Sequence, residues 1–180
     1  PRCRIVGNIE NRFARMVKVA KTHSSKTWSN WAGNQTSHPL SIEKPKNEED
    51  VVSIVREAKK RGLKVKVVGS GHSFTGIAVA DEVLVSLDDM ADIRDVDFEN
   101  FTVRVGSGIK LFDLNPILQR SGLAMPNLGD IVYQSISGAI STSTHGTGLQ
   151  FKTIADAVCG MRIVNGEGKV IECDKEKNTE

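Results

Sequence analysis

The sequence VVGSGHSF, residues 67–74, runs from a short apolar strand directly into a glycine-rich loop. Such a loop can bring backbone N–H groups against a phosphate group. It does not match the dinucleotide fingerprint of a Rossmann domain, because Phe74 stands where the third glycine would be. No Gly-Lys-Ser/Thr follows it, as a P-loop would require. Taken by itself, this loop is compatible with an anion site and with a plain tight turn.

A second glycine-rich stretch, SISGAISTSTHGTG, occupies residues 135–148. Its three glycines permit close backbone approach, and its seven Ser and Thr hydroxyls supply hydrogen-bond donors. This composition is unfavourable for a core strand or helix, but it suits a segment that wraps a polar, phosphate-bearing ligand. Two such stretches, far apart in sequence, predict one long anionic cofactor held between two subdomains.

The surrounding pattern predicts an α+β fold. Asn47 is typical of a helix N-cap, and Gly62 of the residue that ends the same helix. A second helix is predicted over residues 109–120, where Pro116 should kink it or delay its start. The predicted strands are 64–68, 83–87, 93–96 and 101–105, followed by a hairpin of 158–164 and 169–173. Strands and helices that alternate before a mostly β second half predict two subdomains. We expect a basic arm at residues 1–38, a first subdomain at 39–105 and a second at 106–180.

Composition and charge exclude several classes of protein. The chain has 180 residues, 39% of them apolar and 26% charged, which is enough for a core and unlike a solenoid or a disulfide-dense miniprotein. Residues 1–30 carry seven Lys and Arg against Glu10 alone. Such a basic arm could contact nucleic acid, an anionic membrane or an acidic face of its own protein. No zinc-finger spacing or aromatic-rich sheet accompanies it, so we expect no nucleic-acid partner.

The cysteines and histidines bear on metal and nucleophile chemistry. Cys3, Cys159 and Cys173 are widely spaced and form no CxxC, which argues against a zinc site or a redox pair. His72 and His145 each lie in a glycine-rich stretch, but no third protein ligand for a metal is evident. No G-x-S-x-G elbow supports a serine hydrolase. His72 suits a covalent bond from its imidazole to a cofactor, with a local hydrogen bond in a turn as the alternative.

Four segments together carry a family resemblance. They are WSNWAGN (28–34), VVGSGHSF (67–74), VRVGSGIKLFDLN (103–115) and SGLAMPNLGDIVYQSISGAISTSTHGTG (121–148). This joint pattern resembles the vanillyl-alcohol-oxidase-type (PCMH-type) FAD-linked oxidases, in particular the L-gulonolactone, D-arabinono-lactone and alditol oxidase branch. The resemblance implies a small α/β lobe and a larger lobe with an antiparallel sheet and flanking helices, with FAD extended between them. It also implies a C-terminal cap domain, on a missing segment or a second chain, which this sequence lacks because it stops at Glu180.

The resemblance also assigns roles to residues. His72 matches the histidine that bonds covalently to the ring methyl group of the flavin. Gly129 matches a position beside the reactive edge of the flavin, where a small residue leaves room for dioxygen. No catalytic residue is expected in this chain, because the groups that polarise the substrate belong to the cap domain. The implied FAD-contacting residues are Val67, Val68, Gly69, Ser70, Gly71, His72, Ser73, Gly129, Asp130, Ser135, Gly138, Thr142, Ser143, Thr144, His145, Gly148 and Ile163.

The implied reaction is hydride transfer from a carbinol carbon of a sugar lactone or polyol to covalently bound FAD, with dioxygen reduced to hydrogen peroxide. A dehydrogenase of the same family that uses another electron acceptor, and a non-catalytic flavin-binding module, are the alternatives. No apolar run reaches the ~18–20 residues that span a bilayer, and no secretory signal peptide is visible. We therefore expect a soluble, cytoplasmic chain and leave membrane association of the full-length protein open.

Overall fold

The computed structural model describes residues 26–174 and residue 176. Most of the predicted basic arm, with Cys3, lies outside the described residues. The fold mixes helices and strands, as the sequence predicts. In chain order the elements are β1 (Trp28–Ser29), β2 (Thr36–Ser37), β3 (Ser41–Glu43), α1 (Glu48–Lys60), β4 (Val65–Val68), η1 (Gly76–Ala78), β5 (Val83–Ser86), β6 (Ile93–Asp97), β7 (Thr102–Val105), α2 (Leu111–Arg120), α3 (Ile136–Ser141), η2 (Ile154–Ala157), β8 (Gly160–Val164) and β9 (Val170–Asp174).

A three-stranded parallel sheet with the strand order β3-β5-β4 organises the first part of the chain. Helix α1 connects β3 to β4 and begins as predicted, because the Asn47 side chain accepts a hydrogen bond of 2.8 Å from the Asp50 N–H. Gly62 follows the helix with a φ of +65°. Ala58 of α1 packs on Val83 and Val85 of the central strand. The sheet and helix therefore share one small core.

A second core lies under helices α2 and α3. It is formed by Ile109, Leu111, Leu114, Leu118, Ile136, Ala139 and Ile154. The antiparallel hairpin of β6 and β7 packs its Ile93, Val103 and Val105 against this core. Helix α2 contains Pro116 and begins at Leu111, two residues after the predicted start. The predicted subdomain boundary between residues 105 and 106 stays a prediction.

The second half of the chain is less β-rich than the sequence suggests. Among the described residues after 106, the strands are β8 and β9, and the remaining elements are helical. The expectation that 135–148 would make a poor helix is wrong for its first half, where α3 forms. Ile136, Ala139 and Ile140 recur at helical spacing and pack into the core, so burial outweighs the low helix propensity of glycine and serine.

The β8–β9 hairpin lies along α1 and is tied to it at both ends. The Arg162 guanidinium donates two hydrogen bonds of 2.8 Å to the Glu48 carboxylate. At the opposite end of the helix, Lys59 pairs with Glu167 in the hairpin turn. The strands themselves confirm the hairpin that the sequence predicts around residues 165–168. Within the described ranges, none of the helices combines the length and apolarity that a membrane span needs.

Candidate functional site

The loop that follows β4 lies at the carboxyl edge of the parallel sheet, which is where open α/β sheets bind their ligands. Gly71 adopts a φ of +66°, a conformation that favours glycine. Among the described residues, the backbone N–H groups of Ser70, Gly71, His72 and Ser73 make no hydrogen bond. Within the described residues, the loop therefore has four backbone donors at the edge of the sheet that are available to an anion.

The two glycine-rich stretches meet at Gly69. A Cβ atom placed on Gly69 would lie well within 3.0 Å of the Ser135 hydroxyl oxygen and 3.7 Å from the Gly138 Cα atom. Ser135 is itself buried and caps α3 by accepting a hydrogen bond from the Gly138 N–H. The neighbouring Ser70 hydroxyl donates a 2.5 Å hydrogen bond to the Tyr133 carbonyl. Only a glycine at position 69 permits this approach between the loop and α3.

The segment at residues 28–37, called here the tryptophan segment, holds the outer side of the same loop. The Trp31 N–H donates to the Gly71 carbonyl at 2.9 Å. The Asn30 amide donates to the Ser73 carbonyl at 3.0 Å, and the Asn34 amide donates to the Phe74 carbonyl at the same distance. Asn30 is buried, so this contact is shielded from water. The loop is thus fixed through its carbonyl groups while its N–H groups stay free.

His72 stacks with two aromatic rings. Its imidazole stacks on Trp31 with ring centroids 5.2 Å apart and on Tyr133 with centroids 6.3 Å apart. Partial burial, assisted by the positive charge of Lys110, lowers the pKa of His72 below its usual value. The neutral imidazole is therefore the favoured form at neutral pH.

A charged pair lies near this ring. The Lys110 ammonium contacts the Asp88 carboxylate at 2.6 Å, and the Ser86 hydroxyl donates to the same carboxylate at 2.7 Å. Burial opposes ionisation of Asp88, but the hydrogen bonds from Lys110 and Ser86 outweigh it and lower the pKa of that carboxyl. Ser86 ends β5, next to β4, so the pair also lies at the carboxyl edge of the sheet.

Gly129 faces the turn that follows α3. A Cβ atom at this position would lie 2.9 Å from the Thr144 methyl group. The Gln134 amide donates to the Thr144 hydroxyl at 2.8 Å, and the Thr142 hydroxyl donates to the Gly138 carbonyl at 2.9 Å. The structure therefore brings three of the predicted contacts, Gly129, Thr142 and Thr144, to one place.

The other predicted contacts are less concentrated. Val67 is exposed and Val68 is buried on β4, and Ser143 has a φ of 52°. Asp130 and His145 are exposed, and Gly148 precedes the exposed Leu149. Ile163 lies on β8, paired with Ile171, rather than in either glycine-rich stretch.

Sequence reasoning did not assign roles to Tyr133 or Lys110, although both reach His72. Tyr133 is the single tyrosine of a chain that is only 5% aromatic, and this rarity is the signal that could have drawn attention to it. Lys110 carries no comparable signal, because a lysine next to a helix start is usually a solvated residue.

A surface groove of about 640 Å³ lies elsewhere and shares no residue with the glycine-rich loops. Its Arg162 and Glu48 already pair with each other, so the groove offers mixed rather than convergent charge. Its lining consists of Asn47, Glu48, Glu49, Arg94, Asp95, Arg104 and Arg162. Across the residues described, no cluster of three His, Cys, Asp or Glu side chains could hold a metal ion.

Comparison with known proteins places this geometry in context. The family described as FAD binding domain matches residues 39–174. An L-gulono-1,4-lactone dehydrogenase of Mycobacterium tuberculosis (strain ATCC 25618 / H37Rv) is 40% identical over 147 residues, which is 82% of this chain and 34% of that protein. A D-arabinono-1,4-lactone oxidase of Candida glabrata is 37% identical, over 84% of this chain and 30% of the relative. L-gulonolactone oxidase of Mus musculus is 33% identical, over 85% of this chain and 35% of the relative.

Solved structures share the fold. A chitooligosaccharide oxidase superposes with a TM-score of 0.75 at 23% identity, over 86% of this chain and 33% of that one. A xylooligosaccharide oxidase from Myceliophthora thermophila C1 superposes with a TM-score of 0.71 at 22% identity, over 83% of this chain and 32% of that one. The chain spans about a third of the length of the curated relatives it matches.

Proposed function

The chain belongs to the FAD-binding-domain family, and from this premise we propose that it is the flavin-holding part of a sugar-lactone or alditol oxidoreductase. The observation that carries the proposal is the meeting of two glycine-rich stretches at Gly69, beside a loop with four free backbone donors. The names of the relatives, lactone oxidases and a lactone dehydrogenase, support a lactone as the substrate class.

The residues present fit FAD. The free N–H groups of residues 70–73 suit a pyrophosphate, because oriented backbone dipoles bind phosphate without a metal. The turn at residues 142–145 supplies hydroxyl groups after α3, and Asp130 and Ile163 complete the proposed contacts. When bound, FAD supplies a two-electron acceptor for hydride. The chain's own contribution is to bind this group and to hold its orientation.

We further propose that His72 bonds covalently to the flavin. The bond requires a neutral imidazole with a free ring nitrogen, and the lowered pKa of His72 favours that form at neutral pH. The loop that carries His72 is fixed on both sides, by the tryptophan segment and by the Ser70 contact to Tyr133. A ring so placed loses little freedom when it reacts.

Dioxygen is the proposed electron acceptor, because a glycine at position 129 adds no side chain beside the proposed flavin site. The 40% identity to a protein named as a dehydrogenase favours another acceptor. Hydrogen peroxide yield, measured against reduction of an artificial dye, distinguishes the two. We also propose that the substrate-polarising groups lie in a cap domain outside this chain, so the acceptor assay needs the whole protein.

The experiment that tests the central proposal is the visible spectrum of the purified chain before and after acid precipitation. A yellow native protein shows flavin binding, and a yellow pellet shows a covalent bond. We expect His72→Ala to leave a colourless pellet while part of the non-covalent binding persists. His38→Ala is the matched control, because His38 is exposed and lies outside the loop. A native protein that takes up no flavin would refute the function.

A further inference from the structure

Five rings form a continuous row around His72. Trp31 stacks on His72 and makes an edge contact with Phe74, while Tyr133 also stacks with His72 and makes a tilted contact with Phe112. Trp31 is 67% exposed and Tyr133 is 62% exposed, so neither ring is there to fill a core. Two large exposed aromatics stacked with one imidazole call for a reason other than burial.

Both flanking residues are anchored to the loop that carries His72. The Trp31 N–H donates to the Gly71 carbonyl at 2.9 Å, one residue before the histidine. The Tyr133 carbonyl accepts from the Ser70 hydroxyl at 2.5 Å, two residues before it. The backbones of both residues are therefore attached directly to the loop that carries His72.

The near-parallel planes of the rings restrict the orientation of the His72 imidazole. The imidazole is inclined by 26° to Trp31 and by 19° to Tyr133, so the three rings are close to parallel. A ring stacked with two near-parallel neighbours turns about its Cβ–Cγ bond only at the expense of both contacts. Stacked aromatic pairs stabilise one another beyond the effect of area burial alone, and this extra stabilisation biases the side-chain rotamer.

We propose that Trp31 and Tyr133 are positioning residues that hold the plane of the His72 imidazole for its reaction with the bound flavin. This inference rests on the proposed function, since it assigns the stack a task in covalent attachment. It gives the tryptophan segment a role that neither the family match nor the fold supplies.

The step that the stack assists can be written in full. A ring nitrogen of His72 bonds to the carbon of the flavin ring methyl group, while one methyl C–H bond and the imidazole N–H bond break. Both hydrogens and the two electrons of the oxidation remain with the flavin, which is left two-electron reduced. Dioxygen then takes two electrons and two protons from it and becomes hydrogen peroxide. The nitrogen must approach the methyl carbon within the ring plane, so the tilt of the imidazole controls the rate.

The stack also shields the imidazole from water. Burial is the larger cause of the lowered pKa of His72, and the charge of Lys110, which is paired with Asp88, is the smaller one. Loss of the Trp31 ring would expose the imidazole and raise its pKa towards the usual value. Attachment requires the neutral ring, so its pH profile should shift to higher pH.

The test compares Trp31→Leu, Trp31→Phe and Tyr133→Leu with the unaltered chain, prepared free of flavin and then mixed with FAD. Phe98→Leu is the control, because Phe98 is a comparably exposed aromatic, 59%, outside this row. The readouts are covalent flavin by fluorescence on a denaturing gel against time and pH, FAD affinity by fluorescence quenching, and the proton NMR shifts of the His72 ring.

We expect Trp31→Leu and Tyr133→Leu to slow attachment by about tenfold or more, since small misplacements of a reacting group have effects of this size. Trp31→Phe should restore most of the rate, and FAD affinity should change by less than about twofold, because the loop donors are unaltered. The His72 ring protons should move downfield in both leucine variants as the ring current is lost.

Unchanged attachment rate and pH profile in both leucine variants would overturn the inference and leave the proposed function standing. A parallel loss of FAD affinity in all three variants would also overturn it, since a general structural role would then explain the effect. If the unaltered chain binds FAD but never attaches it, the inference and the covalent proposal both fail, while FAD binding survives. If it binds no FAD, the proposed function itself fails.

Discussion

Replacement of Gly69 by alanine tests the contact that joins the two glycine-rich stretches. The added methyl group would lie well within 3.0 Å of the Ser135 hydroxyl, a distance that real Cβ atoms essentially never show. Ser135 is 1% exposed, so its hydroxyl cannot swing into solvent. Either the loop moves away from α3, or the Ser135 side chain rotates and releases the Gly138 N–H that it caps.

The cost can be worked from these two responses. Loss of a serine N-cap destabilises a protein by about 1 kcal/mol, and forcing an extra methyl group into a packed site costs about 1–3 kcal/mol. Either response relieves the conflict by itself, so Gly69→Ala should lower the free energy of unfolding by about 1–3 kcal/mol. Ser135→Ala alone should lower it by about 1 kcal/mol.

A double variant that carries both Gly69→Ala and Ser135→Ala distinguishes the steric conflict from a general loss of stability. Without the hydroxyl, the nearest Ser135 atom to the new methyl group is its Cβ at 3.5 Å, an ordinary contact. Gly69→Ala should then cost less than about 1 kcal/mol in the Ser135→Ala background, which gives a coupling of about 1–3 kcal/mol between the two positions. Urea unfolding of the four proteins measures this coupling.

The control is Gly166→Ala, because a Cβ there meets nothing within 4 Å. It should change stability by less than about 0.5 kcal/mol. Additive effects at positions 69 and 135, or a Gly69→Ala protein as stable as the parent, would refute the close approach. FAD affinity, measured on the same proteins, should fall in Gly69→Ala, because the loop donors would be displaced.

Two further perturbations address the elements that carry the site. Asn47→Ala removes the cap of α1 and should lower the free energy of unfolding by about 1 kcal/mol. Asn47→Asp should retain stability because it keeps the acceptor. Equal urea midpoints for the unaltered chain and both variants would count against the cap. The pKa of Asp88 is lowered in the folded chain, so its stabilising effect is full above the unfolded value of about 3.9 and is lost as the pH falls below it. The stability gap between the unaltered chain and Asp88→Asn should accordingly close on acidification, and a gap that persists at low pH would exclude the pair with Lys110 as its cause.

Much of the local structure follows from short-range signals. Asn47 and Gly62 bound α1 because a side-chain acceptor at the start and a positive φ after the end are local requirements of a helix. The hairpin at residues 160–174 follows from alternation around a glycine-containing turn. Helix α3 was missed because its local propensity is poor, and only burial of Ile136 and Ala139 in a shared core makes it form.

One part of the candidate site could likewise be predicted from the sequence, and another part could not. The glycine-rich loops could be recognised in the sequence, and the flavin could be predicted from the family resemblance that four segments carry jointly. The stacking of Trp31 and Tyr133 on His72 could not be predicted from the sequence. These residues come from segments far apart in sequence that come together only in the folded chain.

The sequence by itself thus determined the family, the ends of α1, most strands and the two glycine-rich stretches, because each depends on neighbours along the chain. The tertiary structure alone decided that Gly69 approaches Ser135 closely, that Lys110 pairs with Asp88, and that His72 stacks with two rings. These are contacts between distant segments, and they are fixed by how the two cores pack rather than by any local preference.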